Sequence, residues 1–168
     1  MGTVITWRHI LESSGAIGSG KAYGLYFIMG RLGEVLYVGR SRDPIDRLLG
    51  HMGRGTWWFS GPSSVGEFIA FHLPGSLGWP IKLWTYGDCK RGYRRSVGNC
   101  DAWADDAEAR MIDKYRPYFN GAGNPNPRGL LAGYEAWKSD RDEGMRRAVR
   151  LAFGEGLLHV PYTRRRGA

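Results

Sequence analysis

The chain has 168 residues, 42% of them hydrophobic, with seven Trp, nine Tyr, six Phe and a formal net charge of +8. That length suits one compact domain with an appendage, and 26 Gly and eight Pro predict a core wrapped in turns and long loops. No apolar run reaches the roughly 18 residues of a membrane span and no basic-then-apolar leader opens the chain, so a cytoplasmic, nucleoid-associated protein with a polyanion partner and no membrane partner is expected.

Residues 1–22 read as an N-terminal extension, a short apolar piece from Val4 to Leu11 followed by a Gly/Ser linker. Gly15, Gly20 and Lys21 approach a phosphate-binding loop, but Ala22 stands where a metal-binding hydroxyl is needed and a strand pattern follows, not a helix. Tyr23–Met29 and Val35–Gly39 flank Gly30-Arg31-Leu32-Gly33-Glu34, the pattern of a β-hairpin. Pro44 opens a helix capped by Ser41 or Asp43, with Ile45, Leu48 and Leu49 as its apolar stripe and Arg47 and His51 on another face. Two segments compete for the third strand, Glu67–Leu73 and Ile81–Tyr86, and the second is preferred. Asp101–Tyr115 has helical spacing and ends before Pro117. Residues 122–168 form a basic helical extension, with Leu131, Tyr134 and Trp137 on one stripe, Ala148, Val149, Ala152 and Phe153 on another, and Arg164-Arg165-Arg166 near the end. Cys89 and Cys100 match no zinc spacing; two reduced thiols or a disulfide both fit.

The densest pattern lies in residues 24–51. Gly24-Leu25-Tyr26 is followed after ten residues by Tyr37-Val38-Gly39; Arg47 stands ten places past the second tyrosine and His51 one helical turn later. Further on, Glu108 sits in the run Asp105-Asp106-Ala107-Glu108, and Asn120 follows Pro117. In order and spacing these residues resemble the GIY-YIG nuclease family over residues 23–121. Leu25 and Val38 replace the isoleucines of the motif, a volume-tolerant change, and the long Gly-rich interval from His51 to Glu108 indicates an insertion.

The resemblance implies an α/β (α+β) fold, a small three-stranded antiparallel sheet flanked by helices, spanning residues 23–121. It implies hydrolysis of DNA phosphodiesters with one Mg²⁺ (or Mn²⁺) per active site, held by Glu108. Mg²⁺ keeps most of its waters, so one carboxylate suffices. Tyr26 would be the general base, Arg47 the phosphate clamp, and Tyr37, His51 and Asn120 would support them. A free phenol has a pKa near 10, so Tyr26 needs nearby cations such as Arg40, Arg47 and His51 to ionise. Whether Tyr26 and Tyr37 share a side depends on the loop between them. The resemblance also implies a phosphate contact for Arg40, the basic residue that follows the second triplet. The residues themselves nominate Lys90, Arg91, Arg94 and Arg95 along a DNA backbone, and Arg54, Trp57 and Trp58 for base stacking or else core packing.

The expected partner is therefore double-stranded DNA, cut by a stand-alone restriction or phage/mobile-element type of enzyme. One site per chain would require a homodimer, or two sequential events, to cut both strands. A structure-selective repair nickase, a catalytically inactive nucleic-acid-binding module of the same fold and an RNA-binding protein are the alternatives.

Overall fold

The computed structural model describes residues 2–12, 22–53, 62–121 and 131–152. In chain order it runs β1 (Thr3–Thr6), α1 (Trp7–Glu12), β2 (Tyr23–Met29), β3 (Val35–Arg40), α2 (Pro44–His51) and α3 (Ser64–Phe71), then β4 (Pro80–Thr85), α4 (Tyr86–Lys90), α5 (Cys100–Tyr115), α6 (Tyr134–Ser139) and α7 (Arg141–Ala152). The fold is mixed α and β around one antiparallel sheet. Among the described residues that sheet has four strands in the order β1-β4-β2-β3, not the three expected. The additional strand comes from the segment read as an extension: Thr3, Val4, Ile5 and Thr6 pair with Leu83, Lys82, Ile81 and Pro80.

Helices cover both faces of the sheet, and this explains why β2 is apolar without interruption. Leu25, Phe27 and Val38 point to one side and pack with Ala107 and Met111 of α5 and Cys89 of α4. Tyr26 and Ile28 point to the other, into the larger cluster that gathers Trp7, Leu48, Phe68, Ile69, Trp137 and Ala148. Leu131, Trp137 and Ala148 thus bring the C-terminal extension into the main core.

Two expectations for the middle of the chain part company here. Ile81–Tyr86, the preferred third strand, falls on β4 as far as Thr85, between β1 and β2, while Tyr86 opens α4. Glu67–Leu73 is not a strand: it lies on α3 and the turn after it. Ser63 caps that helix by accepting from Gly66 N at 3.2 Å. Val65 to Ala70 are all buried, the charged Glu67 included, so polarity does not mark a solvent face and periodicity could not separate helix from strand. The two cysteines are both free; Cys89 is buried, and that burial pushes its thiol up to about 11. No helix among the described residues is long and apolar enough to cross a membrane.

Candidate active site

The hairpin register decides how the two motif tyrosines meet. Tyr26 pairs with Gly39 and Ile28 with Tyr37, so the phenols lie diagonally on one face, their rings stacked with centroids 6.0 Å apart. Gly39 is required at this crossing, since a Cβ there would collide with the Tyr26 phenol and the edge of Tyr37. Helix α2 follows directly. Asp43 caps it, accepting from Asp46 N at 3.0 Å, while Ser41 instead accepts from Asp43 N. The helix buries Leu48 and brings Arg47 beside both phenols, where its charge works against the effect of their burial.

Glu108 arrives from the other layer. On α5, Asp101, Ala104 and Glu108 recur at helical spacing and share a cleft of about 540 Å³ with Gly24, Tyr26, Tyr37, Arg40, Arg47 and Tyr86. Arg40 joins the layers, with its Nε 2.8 Å from Asp105 and 3.7 Å from Glu108. Burial raises the Glu108 carboxyl above its ordinary range, with the Arg40 charge opposing. Arg42 closes one rim through Asp101, at 2.6 and 3.3 Å. A strand end, a helix start and the face of a second helix therefore bring tyrosines, guanidinium groups and a carboxylate to one concavity.

The donor set decides what cation could sit there. No group of three or more His, Cys, Asp or Glu able to hold a metal occurs among the described residues, which argues against a fully protein-ligated ion such as structural zinc. A half-buried carboxylate whose charge is incompletely met by one arginine, in a cleft with room for water, fits a hydrated Mg²⁺ or Mn²⁺ bound through Glu108.

The remaining nominated residues take different places. His51 does not face the cleft, so it is not available to a phosphate; it is 5% exposed and lies behind Tyr26. Its Nε2 is 2.8 Å from the Tyr26 hydroxyl and its Nδ1 is 2.7 Å from Ser63 Oγ. Burial, assisted by the Arg47 charge, lowers its pKa to about 3. Asn120 braces the outer strand: its Oδ1 accepts from Val38 N at 3.0 Å and its Nδ2 donates to Val38 O at 2.7 Å, as a neighbouring strand would. Lys90, Arg91, Arg94 and Arg95 stand on the far side of α5. There Arg91, Arg94 and Arg95 line a cavity of about 450 Å³ with Asp106 and Arg110, while Lys90 lies over the Trp103 ring at 4.7 Å. Arg54, Trp57 and Trp58, with the terminal arginines, lie outside the described residues.

Sequence reasoning missed Ser63 and Gly66. A Cβ at Gly66 would fall on the His51 carbonyl, so this glycine lets α3 approach α2 closely enough for Ser63 to touch His51. The signal was present as a serine three residues before a glycine at a helix start, but it was hidden by reading a strand there. Tyr86 was missed as well: a Cβ at Gly24 would meet its ring at 2.8 Å, so the first motif glycine makes room for that wall of the cleft.

Comparison with known proteins adds no relative: no protein-family model, curated protein or solved structure matches the chain. The functional reading therefore stands on the arrangement of these side chains.

Proposed function

We propose that this chain is a divalent-metal-dependent endonuclease of the GIY-YIG type that hydrolyses DNA phosphodiester bonds, acting as a stand-alone restriction or phage/mobile-element enzyme. One observation carries the reading: Tyr26, Tyr37 and Arg47, from the hairpin and the helix that follows it, line the same cleft as Glu108, which comes from a helix much later in the chain. Glu108 would hold the Mg²⁺, which supplies Lewis-acid stabilisation of the charge that builds on the phosphoryl oxygens. Arg47, planar and always charged, suits a paired grip on the scissile phosphate, and Arg40 at the rim suits an adjacent one. A phenolate of the stacked pair would take a proton from the attacking water; burial raises both phenols above their ordinary value, and the Arg47 charge beside them opposes that rise. Asn120 and His51 hold the outer strand and the tyrosines in place. The basic face beyond α5 is separated from the cleft by that helix, so it would contact phosphates other than the scissile one.

The test is nicking of supercoiled plasmid in Mg²⁺ by the wild-type protein and by Glu108→Ala. Cleavage should fall about a hundredfold or more, the scale on which removing one charge-stabilising group reads out, while salt-dependent DNA binding persists. Binding without cleavage by the wild type on linear, supercoiled and branched DNA would reject the enzyme in favour of a binding module.

A further inference from the structure

Helix α5 has a cavity on each flank. At about 100° per residue, Asp101, Ala104 and Glu108 gather on the flank that lines the cleft, and Asp106 and Arg110 fall about 170° away. The second flank borders the cavity of about 450 Å³, whose other wall is Arg91, Arg94 and Arg95 in the loop between α4 and α5. Ala107 and Met111 are buried against the sheet, so the exposed Asp105 and Ala109 form a crest between the two cavities.

Charge in the second cavity is paired at its floor and unpaired at its wall. Arg110 Nε lies 2.7 Å from Asp106, and its Nη2 donates to Cys89 O at 3.3 Å. Gly92 leaves room for that guanidinium, since a Cβ there would overlap it. Arg91 stands 3.2 Å from Asp88. Tyr93 Oη donates to Val97 O at 3.2 Å and ties the loop to itself. Arg94 and Arg95 are exposed, and among the described residues neither has a carboxylate within ion-pair distance. Two unmatched positive charges therefore stand across one helix from the guanidinium groups of the cleft.

We infer that α5 enters the major groove of duplex DNA crest first, with the strand to be cut in the cleft and phosphates of the opposite strand held by Arg94 and Arg95. The inference rests on the nuclease reading for its partner and for which strand is cut. Size selects the groove. A helix with its side chains is about 10–12 Å across and the major groove about 12 Å wide, whereas the minor groove, about 6 Å, is too narrow. The crest suits a close approach. Ala109 is small, and the charge of Asp105 is offset by Arg40 at 2.8 Å. Asp113, also exposed, comes after the last α5 residue that lines either cavity. A single strand would have to climb over the helix to reach both sets of arginines; two strands flanking a groove meet them directly.

The test compares the full-length wild type with the double variant Arg94→Ser, Arg95→Ser, whose positions are exposed and unpaired, with circular dichroism to confirm the fold. Fluorescence anisotropy of a short DNA duplex in EDTA reads binding without cleavage. The slope of log Kd against log salt should be smaller by about 2 in the variant, at about 0.9 for each lost phosphate contact. On a duplex with neutral methylphosphonates along one strand, the difference between the two proteins should nearly vanish. The charged strand then takes the cleft, and the two arginines face an uncharged one. Glucosylated hydroxymethylcytosine, which fills the major groove, should weaken wild-type binding about tenfold or more, and netropsin in the minor groove should leave it unchanged.

An unchanged slope would overturn the phosphate contact. A slope difference kept in full on the half-neutral duplex would put both sets of arginines on one strand and overturn the straddled groove. Inhibition by netropsin alone would do the same, as would tighter binding to double-stranded RNA, whose major groove is too narrow for a helix. If binding behaves as stated but the wild type nicks no plasmid, the nuclease reading falls and the two-strand contact stands without a cut strand. If both proteins nick plasmid equally and the slope does not change, the nuclease reading stands and this inference falls.

Discussion

At the scale of single residues, His51 illustrates how burial converts an ordinary side chain into a fixed one. It is neutral in the fold down to about pH 3, but in the unfolded chain it takes a proton below its ordinary value of 6.5. The unfolded state thus binds more protons in that window. Stability from this site is complete above pH 6.5 and is lost as pH falls toward about 3. The slope approaches about 1.4 kcal/mol per pH unit. His51→Gln keeps hydrogen-bonding capacity without titrating, so its urea midpoint should vary less between about pH 5 and about pH 7 than that of the wild type. An identical pH dependence in the two proteins would mean that His51 is not buried as described. His72 is also lowered by burial and contributes in the same direction, which is why the comparison is made against a variant at position 51 alone.

At the scale of elements, the contact between α2 and α3 is set by one missing side chain. Gly66→Ala would place a methyl group on the His51 carbonyl, forcing the helices apart. Overpacking of that kind costs about 1–3 kcal/mol, and here it should also break the bond from Ser63 to His51. Chemical denaturation should show the loss of stability. The hairpin, α2 and α5 were legible in the sequence because each has one strong local signal: a Gly-containing loop between aromatic strands, a proline at a helix start, and a helical stripe ending at a proline. Helix α3 was not, because being buried all round removes the polar face that periodicity detects. Strand β1 escaped for the opposite reason. It has only four residues and precedes a Gly/Ser stretch, and its pairing partner lies some eighty residues away on β4.

At the scale of the whole molecule, the C-terminal helices are tied to the core by a contact that no local pattern announces. Glu67 on α3, with its side chain 4% exposed, meets Arg141 Nε at 2.8 Å, while the Arg141 side chain remains 57% exposed and lies over Trp137. Gly144 permits this docking, since a Cβ there would stand 2.7 Å from the Glu67 carbonyl oxygen. Arg141→Ala would leave a buried carboxylate without its cation. Because solvent still reaches the arginine, the cost should be about 1–3 kcal/mol, below the range for a fully buried pair. A thermal melt should show it. If the proposed nuclease activity holds, plasmid nicking by the folded protein should not change, because Arg141 is absent from the lining of the cleft. A parallel loss of cleavage at temperatures where the variant is folded would instead join α7 to the site.

Residue types and their spacing were enough to nominate the candidate tyrosines, Arg47, Glu108 and Asn120, through the resemblance that their order carries to the GIY-YIG nucleases; local turn and helix signals then placed each on its element. They could not say which phenol faces water, that His51 lies behind the cleft, or that the basic run from Lys90 to Arg95 stands across α5 from Glu108. Those are matters of burial and of which layers meet. They depend on long-range pairing and on close approaches at Gly39, Gly66 and Gly144, where the absence of a side chain acquires meaning only once the opposing atom is in place.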